Sequence, residues 1–578
     1  MASPDGLASQ VAALASQLEE QKKSEYQFRE DVTSSWLVIC GSLVFFMQTG
    51  FAMIETGVVS KLNVVSVMFK NLLDSCIAGI TFWLVGYAFA YGEDWNGFIG
   101  TTNFALANGG VSASWFYQWT FAGASATIVS GAVCERIRIK SYIAFTTWMC
   151  IVIYPVVAHW IWGGGFLSHN PGKQHQDGSY DTLFGSHGVL DFAGSGVVHL
   201  VGGVAACTGA FFLKPRMGRF HPETGEVREL EGHNKTLMVL GTGVLVFGWY
   251  GFNCGSVGSL YNNGHVIATV AVNTTVALSS GGCAGILVAL FSNGRFELQT
   301  VLNCILAGLV SINASADFLP QWATCIIAAT GALVYYAFRC LLLRLRIDDP
   351  LEASAVHGAA GAWGLLAAGI FCTDSGVRPE VVLGEVPHVR ADACSSGAQF
   401  GAQVVAVACI MAWTGVMSTL AWGALQGFGV LRVPYEWEEI GMDNLEHGAE
   451  AFPTREPQLG LMLEAGGADH GAQLYVNEQY LTDKKGVSYG QRMVPHPATM
   501  PGSRDPSGRV LGAGVQSNSG SIDVLRVHLP LGADDRSQVA MAQPHLVPWG
   551  YSVQAPVHMT LEPAPTKMDG YFLGQGMV

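Results

Sequence analysis

Charged residues are scarce in this sequence. Only 13% of its 578 residues are Asp, Glu, Lys or Arg, whereas ordinary soluble domains contain about 25%. Half of the residues are hydrophobic. This balance excludes an ordinary soluble domain. It predicts an all-α polytopic membrane protein, because a helix satisfies its own backbone hydrogen bonds inside a bilayer.

Basic surfaces and paired cysteine motifs are also missing. The formal net charge is −14, and no run of Lys and Arg resembles a nucleic-acid-binding surface, so we expect no nucleic-acid partner. The thirteen cysteines include no Cys-x-x-Cys pair, and most lie in apolar runs, which is typical of small buried side chains. Cys372 and Cys394 flank a hydrophilic loop, and the sequence leaves open whether they form a disulfide.

Long apolar runs are what the sequence has instead. Its 71 glycines are interleaved with Val, Leu, Ile and Phe, a pattern that favours close helix–helix packing. Residues 1–31 are polar to amphipathic and lack the order of a cleavable signal peptide. Eleven runs are long enough to cross about 30 Å of hydrocarbon. They lie near residues 36–56, 73–92, 116–134, 142–162, 189–213, 236–257, 265–291, 300–317, 320–340, 354–372 and 398–430.

The distribution of Lys and Arg predicts the orientation. Alternate connections between the predicted spans hold fourteen of these residues on one side and three on the other. Connections rich in Lys and Arg stay in the cytoplasm. We therefore expect an extracellular N-terminus and a cytoplasmic C-terminus, which agrees with an odd number of spans.

Two histidines stand out in the apolar runs. His199 and His357 lie in glycine-rich spans five and ten. A lone histidine in a soluble core is more often structural, but an ionisable residue near the middle of a bilayer is costly and points to function. Two units of five spans, each ending in such a helix, predict a five-plus-five inverted repeat with an extra last helix. Asp191 is placed at the start of the fifth helix, about 12 Å from His199 along its axis.

Aromatic residues cluster near the predicted outer ends of spans three, four and six. The clusters are residues 115–121, 159–162 and 247–252, with Asp191 and Ser256 beside them. Some of these rings fit an aromatic belt at the membrane interface. A ring beside a hydroxyl or a carboxylate also suits a small cation that carries N–H donors. The residues alone leave both interpretations open.

Several motifs of the chain jointly form one recognisable pattern. They are Phe51-Ala-Met-Ile-Glu-Thr-Gly57, Asp191-Phe-Ala-Gly-Ser-Gly-Val-Val-His199, Gly248-Trp-Tyr-Gly-Phe-Asn-Cys-Gly-Ser256, Asp348-Asp-Pro with Val356-His357-Gly, and Gly441-Met-Asp-Asn-Leu-Glu-His-Gly448. Through these motifs the chain resembles the ammonium transporters of the Amt/Mep/Rh family, in particular the plant and algal Amt type. The resemblance covers about residues 33–452.

The resemblance implies where a substrate binds. By their positions in the motifs, Trp162, Phe121 and Ser256 form an outer recruitment site, and Asp191 shapes it. Phe121 also pairs with Phe252 as a stacked gate.

The resemblance also implies a pore behind that gate. His199 and His357 are its twin histidines, and Trp249 lines it. The implied substrate is ammonium or ammonia, with methylammonium as an analogue. We expect a homotrimer in a lipid bilayer with one pore per subunit, no cofactor, no metal and no enzymatic reaction.

The resemblance ends before the chain does. We expect an extracellular N-terminal segment at residues 1–32 and an eleven-helix transporter domain at residues 33–434. A cytoplasmic regulatory tail segment at residues 435–455 follows. Residues 456–578 are expected to form a largely disordered cytoplasmic tail with possible short strands. Two features depart from the family pattern. Residues 168–186 form an insertion rich in His, Gln, Asp and Gly, and Leu445 replaces the regulatory threonine of plant relatives.

The sequence therefore predicts an ammonium transporter of the plasma membrane. It would bind ammonium at the outer face, remove a proton, and pass ammonia, with or without that proton, through a hydrophobic pore. One alternative is an ammonium sensor that signals through its C-terminal tail. A second is an Rh-type gas channel, against which the Amt-like motifs at residues 191–196 and 441–448 argue.

Overall fold

A computed structural model describes residues 4–107, 112–169, 182–374 and 392–452, together with the backbone of four short strands further along the chain. The chain divides into two compact units, Met1–Pro453 and Thr454–Val578. Within its described residues, the first unit is almost entirely helical. Part of the insertion predicted at residues 168–186 lies outside the described residues, because these resume only at residue 182.

Long helices make up the first unit. In chain order they are α1 (Pro4–Val58), α2 (Val64–Tyr91), α3 (Ala113–Val133), α4 (Ile139–Trp162), α5 (Ser195–Leu213), α6 (Lys235–Gly255), α7 (Gly264–Asn293), α8 (Leu298–Ile312), α9 (Gln321–Arg344), α10 (Ser354–Phe371) and α11 (Ala398–Gly427). Two short helices follow, α12 (Tyr435–Ile440) and α13 (Met442–His447). A small hairpin of β1 (Asp94–Trp95) and β2 (Ile99–Gly100) connects α2 to α3.

Membrane-spanning helices are confirmed. Among the described residues, nine helices are long and apolar enough to cross a bilayer, so the chain is a multi-pass membrane protein. The other two predicted spans correspond to α3 and α8, and α8 has only 15 residues, or about 23 Å of helix. The count of eleven spans, the inverted repeat and the orientation stay predictions.

The first helix is longer than the sequence suggested. We expected a separate segment at residues 1–32 and a span at 36–56, but α1 runs unbroken for 55 residues. The helix continues without interruption because no glycine or proline occurs between Gly6 and Gly41. The side chains of residues 8–31 are exposed.

Glycines allow the central helices to touch. Gly203 of α5 faces Gly358 at the start of α10, and a Cβ atom on Gly203 would overlap the Gly358 backbone. Only glycine permits such a close backbone approach. This contact places His199, one turn before Gly203, beside His357.

A buried ionic network joins three connections at the end of the bundle opposite the β1–β2 hairpin. Arg216 Nε lies 2.8 Å from Asp348 Oδ2, and its Nη1 lies 2.5 Å from Glu135 Oε2. Burial alone would raise the pKa of both carboxyl groups, but the adjacent guanidinium outweighs it and holds each pKa below its usual value. The network therefore favours the charged carboxylates.

The segment after α11 packs against the start of α2. The Asp443 carboxylate accepts hydrogen bonds from the backbone N–H groups of Val65 (3.0 Å) and Ser66 (2.9 Å), so it caps that helix from another part of the chain. The Met442 N–H donates to Asn63 Oδ1 at 2.9 Å. Leu445 lies on α13 and is half-buried.

The second unit contains two antiparallel hairpins in its described residues. Strand β3 (Leu461–Glu464) pairs with β4 (Gln473–Val476), and β5 (Gly514–Asn518) pairs with β6 (Ile522–Arg526). The predicted disorder of residues 456–578 otherwise concerns positions outside the described residues.

Candidate functional site

Asp191 lies before α5 and not on it. The prediction that placed it on the fifth helix was wrong, because Gly194 adopts a left-handed conformation (φ 89°) and the helix starts at Ser195. The carboxylate, 3% exposed, accepts hydrogen bonds from the N–H groups of Gly196 (3.0 Å) and Val197 (2.8 Å). Asp191 is thus a cap that fixes the start of the helix carrying His199.

Trp162 is held directly beside this cap. Its indole N–H donates to the Asp191 carbonyl oxygen at 2.8 Å. The Phe121 ring meets the indole edge-on, with ring centroids 6.1 Å apart. The hydrogen bond and the ring contact therefore fix the orientation of the indole, whose π-face suits a small cation.

Two phenylalanines lie between Trp162 and His199. The rings of Phe121 and Phe252 stack with centroids 4.1 Å apart and planes inclined by 19°. Both side chains are fully buried. Phe252 also contacts the His199 ring, at 5.5 Å between centroids. The stacked pair thus separates the Trp162 side from the histidine side.

Ser256 joins the site through a tyrosine that the sequence reasoning did not single out. Its hydroxyl donates to the Phe252 carbonyl oxygen at 2.8 Å and lies 3.2 Å from the Tyr117 hydroxyl, which also bonds that oxygen, at 2.7 Å. The Tyr117 ring lies 4.8 Å from Phe121. Tyr117 belongs to the aromatic cluster at 115–121, but a single sequence gave no reason to prefer it.

The two histidines meet in the centre of the first unit. Their Nδ1 atoms lie 3.1 Å apart, and their rings are nearly parallel, with an angle of 12° between the planes. Each histidine sits in a wide π turn, Ser195–Leu200 or Ser354–Ala359, at the start of its helix. Such turns are rare and frequently occur at functional sites.

Trp249 and Asn313 determine which ring nitrogens of the two histidines carry a proton. The Trp249 indole N–H donates to Asn313 Oδ1 at 3.0 Å, so the amide nitrogen of Asn313 faces His199 Nε2, at 2.9 Å. Because an indole can only donate, His199 Nε2 must accept and its Nδ1 carries the proton. His357 Nδ1 then accepts, and the His357 proton resides on Nε2.

Asn313 is the second residue that the sequence reasoning missed. It follows directly after α8 and is fully buried. The available signal was a primary amide inside a predicted apolar span, where every polar side chain needs a partner. Its partner could not be recognised, because Trp249 and His199 come from two other helices.

A small cavity adjoins His357. Its volume is about 30 Å³, and apolar side chains such as Phe51, Ile54 and Leu245 form most of its wall. The carboxyl-bearing Glu55 also borders it. Such a volume has room for one or two molecules of the size of water.

The structure thus brings most of the predicted residues into one column. From one end it contains Trp162 with Asp191, then Phe121 and Phe252, then His199 with Trp249, and finally His357. Ser256 lies at the side of the phenylalanine pair. Their roles stay predictions.

Comparisons with known proteins identify the family of the chain. A sequence profile of the Ammonium Transporter Family matches residues 35–452. Ammonium transporter 3 of Dictyostelium discoideum is 35% identical over 74% of this chain and 96% of its own length, and ammonium transporter Amt2 of Archaeoglobus fulgidus is 37% identical over 75% and 91%. These relatives are named as transporters and not as enzymes.

Solved structures give the same picture. A structure titled Sensor Amt Protein aligns with a TM-score of 0.65 and 31% identity, covering 73% of this chain and all of that one. The crystal structure of Candida albicans Mep2 aligns with a TM-score of 0.61 and 27% identity, covering 70% and 87%. The chain belongs to the ammonium transporter family.

Proposed function

We propose that this chain takes up ammonium at the end of the column marked by Trp162, removes one proton, and passes ammonia through the pore lined by His199, His357 and Trp249. The observation that carries the proposal is the contact between the two Nδ1 atoms, 3.1 Å apart, behind a stacked phenylalanine pair. Two imidazoles that share one hydrogen bond can accept a proton and hand it on.

Desolvation explains why a neutral molecule is the species in the pore. An intact cation loses several kcal/mol or more when it leaves water for an apolar interior. Ammonia is uncharged and keeps one hydrogen bond to an imidazole nitrogen. The burial of Phe121, Phe252 and the histidines supports this selection.

Recruitment of the cation is a separate step. The Trp162 indole face attracts a cation through its π-electrons, and the Ser256 hydroxyl can accept one N–H hydrogen bond. Both carboxylate oxygens of Asp191 already accept backbone N–H groups. We therefore propose that Asp191 acts by its negative charge and by holding Trp162, and that it makes no direct contact with the cation.

The relay determines whether the proton travels with the ammonia. A proton that moves from His199 Nδ1 to His357 Nδ1 leaves the number of protons on the pair unchanged. When one proton enters at His199, another therefore leaves from His357 Nε2. Net ammonium transport follows if both ends exchange protons with solvent. Net ammonia transport follows if the proton returns to the outer side.

The test combines labelled methylammonium uptake with current recording on reconstituted protein. We expect uptake and current in the wild type, and loss of the current in His199→Ala and His357→Ala. His265→Ala, an exposed histidine at the start of α7, serves as the control and should behave like the wild type. Unchanged current and uptake in the double histidine variant would overturn the proposed relay.

The sensor hypothesis predicts a different result. One of the similar structures is titled as a sensor Amt protein, so the alternative needs its own test. Cells that lack ammonium uptake should grow on low ammonium when they express this chain if it is a transporter. Absence of rescue at normal surface expression would favour the sensor.

Assembly and location complete the proposal. We propose a homotrimer in the plasma membrane, with the N-terminus outside and the C-terminus in the cytoplasm. Closed symmetric rings are the usual outcome of one head-to-tail contact whose rotation closes. Fully active monomers after reconstitution would contradict the trimer.

A further inference from the structure

A second group of chemically active side chains lies outside the column. His187 lies just before α5, Asp374 follows the end of α10, and Cys394 precedes α11. One donor atom from each residue lies within 4.8 Å of the other two. Cys372 is covalently joined to this group through its disulfide with Cys394.

The imidazole of His187 is the least explained member. The residue is only 8% exposed, and neither ring nitrogen has a hydrogen-bond partner among the described residues. A buried polar group without a partner costs about 1–3 kcal/mol. The main chain at this position is held in place, because the His187 backbone N–H donates to Gln399 Oε1 at 3.0 Å. An unused imidazole held beside a carboxylate and a sulfur atom indicates a missing ligand.

The carboxylate is also held in position. Asp374 Oδ1 accepts the Cys394 backbone N–H at 2.7 Å, and Oδ2 accepts that of Ser395 at 3.3 Å. A carboxylate oxygen keeps further lone pairs after accepting one N–H group. Asp374 can therefore bind a cation without losing these contacts.

We propose that His187, Asp374, Cys372 and Cys394 form a four-ligand site for Zn²⁺ or a similar transition metal when the disulfide is reduced. One imidazole nitrogen, one carboxylate oxygen and two thiolates give the number and type of donors that tetrahedral zinc prefers. Two thiolates exclude Ca²⁺ and Mg²⁺, which take oxygen ligands. In the oxidised protein only two donors remain, so the disulfide and the metal are alternative states of one site.

Reduction of the disulfide precedes metal binding. A phosphine reductant and one water molecule convert the disulfide to two thiols, and the phosphine becomes its oxide by losing two electrons. Zinc then forms two Zn–S bonds, and the two thiol protons go to the solvent. Dissolved oxygen reverses the change by taking two electrons from the thiolates and two protons from the solvent, which gives hydrogen peroxide, the S–S bond and free Zn²⁺. Bound zinc slows this oxidation, because a lone pair of each thiolate is engaged in a Zn–S bond.

The test measures metal binding directly and does not depend on transport. Full-length protein is reduced with a phosphine, freed of reductant and incubated with Zn²⁺, or with Co²⁺ as a spectroscopic probe of thiolate ligation. We expect one metal ion per chain at this site, with a thiolate-to-Co²⁺ charge-transfer band. The unreduced protein should show neither. Equal binding by the oxidised protein would overturn the proposal.

Substitutions identify the ligands. Loss of a direct ligand in His187→Ala or Asp374→Asn should weaken binding by at least the roughly 10- to 100-fold that even a supporting hydrogen bond contributes. The control is His265→Ala, which changes an exposed histidine on α7 and should bind like the wild type. Wild-type affinity in both ligand variants would refute the site.

Two further measurements separate ligand loss from misfolding. Each variant is compared with the wild type by thermal unfolding, and His187→Gln replaces His187→Ala if the latter is unstable. Mass spectrometry of alkylated peptides follows Cys372 and Cys394 during reoxidation. Bound Zn²⁺ should slow disulfide formation in the wild type and not in Asp374→Asn. Equal reoxidation rates with and without Zn²⁺ would show that the metal binds elsewhere.

Discussion

At the scale of single residues, Trp162 is the side chain whose removal should weaken binding of the cation most directly. Its indole accounts for a cation–π interaction of about 1–2 kcal/mol, and about 1.4 kcal/mol corresponds to a factor of ten in affinity. We therefore expect Trp162→Leu to raise the half-saturation concentration for methylammonium roughly tenfold without loss of expression. Trp322→Leu is the control, because Trp322 on α9 is 63% exposed. Equal half-saturation in both variants would contradict the recruitment site.

Asn313 should affect both stability and charge movement. Asn313→Leu leaves the Trp249 N–H and His199 Nε2 without partners, at a cost of about 1–3 kcal/mol each, and it frees the histidine pair from one proton arrangement. Asn273→Leu is the matched control, because Asn273 is equally buried but donates to the carbonyl groups of Ala316 and Leu319.

Thermal unfolding and the ratio of current to uptake distinguish the two asparagines. Both variants should unfold at lower temperature than the wild type. Only Asn313→Leu should change the ratio of charge moved to methylammonium taken up. The same ratio in Asn313→Leu and the wild type would show that the amide does not direct the relay.

The sequence alone allows some of these residues to be recognised and not others. His199 and His357 were predictable because an imidazole in an apolar span has few structural explanations. Asn313 was not, because its hydrogen-bond partners Trp249 and His199 are distant in sequence and adjacent only after packing. Asp191 was recognised but placed on the helix, although the left-handed Gly194 starts the helix four residues later.

At the scale of helices, the contact between α5 and α10 should be the least tolerant of change. Gly203→Ala introduces a Cβ that overlaps the Gly358 backbone, and the two helices cannot separate without parting the histidines. We expect loss of the monodisperse peak in size-exclusion chromatography. Gly243→Ala is the control, since nothing lies within 4 Å of a Cβ at that position in α6. A folded, active Gly203→Ala protein would show that the helices can move apart freely.

The ionic network between the helix connections should make stability depend on pH. Both carboxyl groups have a folded-state pKa below the unfolded values of about 3.9 for Asp and 4.3 for Glu. Their contribution is therefore complete above about pH 4.3 and is lost as the pH falls through the folded-state values. Removing one partner of a buried ion pair costs about 3–5 kcal/mol.

We accordingly expect Asp348→Asn to unfold at a lower temperature than the wild type near neutral pH, with a difference that shrinks below about pH 4. Glu229→Gln is the control, because the Glu229–Arg295 pair is largely exposed and its charged groups are 4.0 Å apart. The measurement is the unfolding temperature of each variant and of the wild type across this pH range. A constant difference at every pH would argue against the network.

The helix pattern itself was largely predictable, because apolar length determines a membrane span. Helix α10 runs from Ser354 to Phe371, against a predicted 354–372. The start of α1 was not predicted, since the amphipathic residues after Pro4 form no continuous apolar run, although nothing there breaks a helix. Hydropathy recognises the part of a helix that lies in lipid and not the part that continues into water.

At the scale of the whole molecule, the segment containing α12 and α13 connects the end of the transporter domain to its beginning. A chain ending after Phe452 keeps the Asp443 cap on α2, whereas a chain ending after Pro434 loses it. We expect methylammonium uptake by the longer chain and little or none by the shorter one. Both are compared at equal surface expression. Equal uptake would show that the segment has no influence on the pore.

The hydrogen-bonded line from Trp249 through Asn313 and His199 to His357 has a direction, because only one proton fits between two Nδ1 atoms. In the proposed relay, His199 gains a proton on Nε2 and passes its Nδ1 proton to His357. The hydrogen bond between the two Nδ1 atoms then points the other way, and His199 Nε2–H faces the amide N–H of Asn313. Two donors then oppose each other, and Trp249 prevents the amide from turning to accept. The pair must therefore return to its first tautomeric state before the next proton crosses, whereas neutral ammonia needs no such reset. Charge and nitrogen can then cross this membrane at different maximal rates through the same pore.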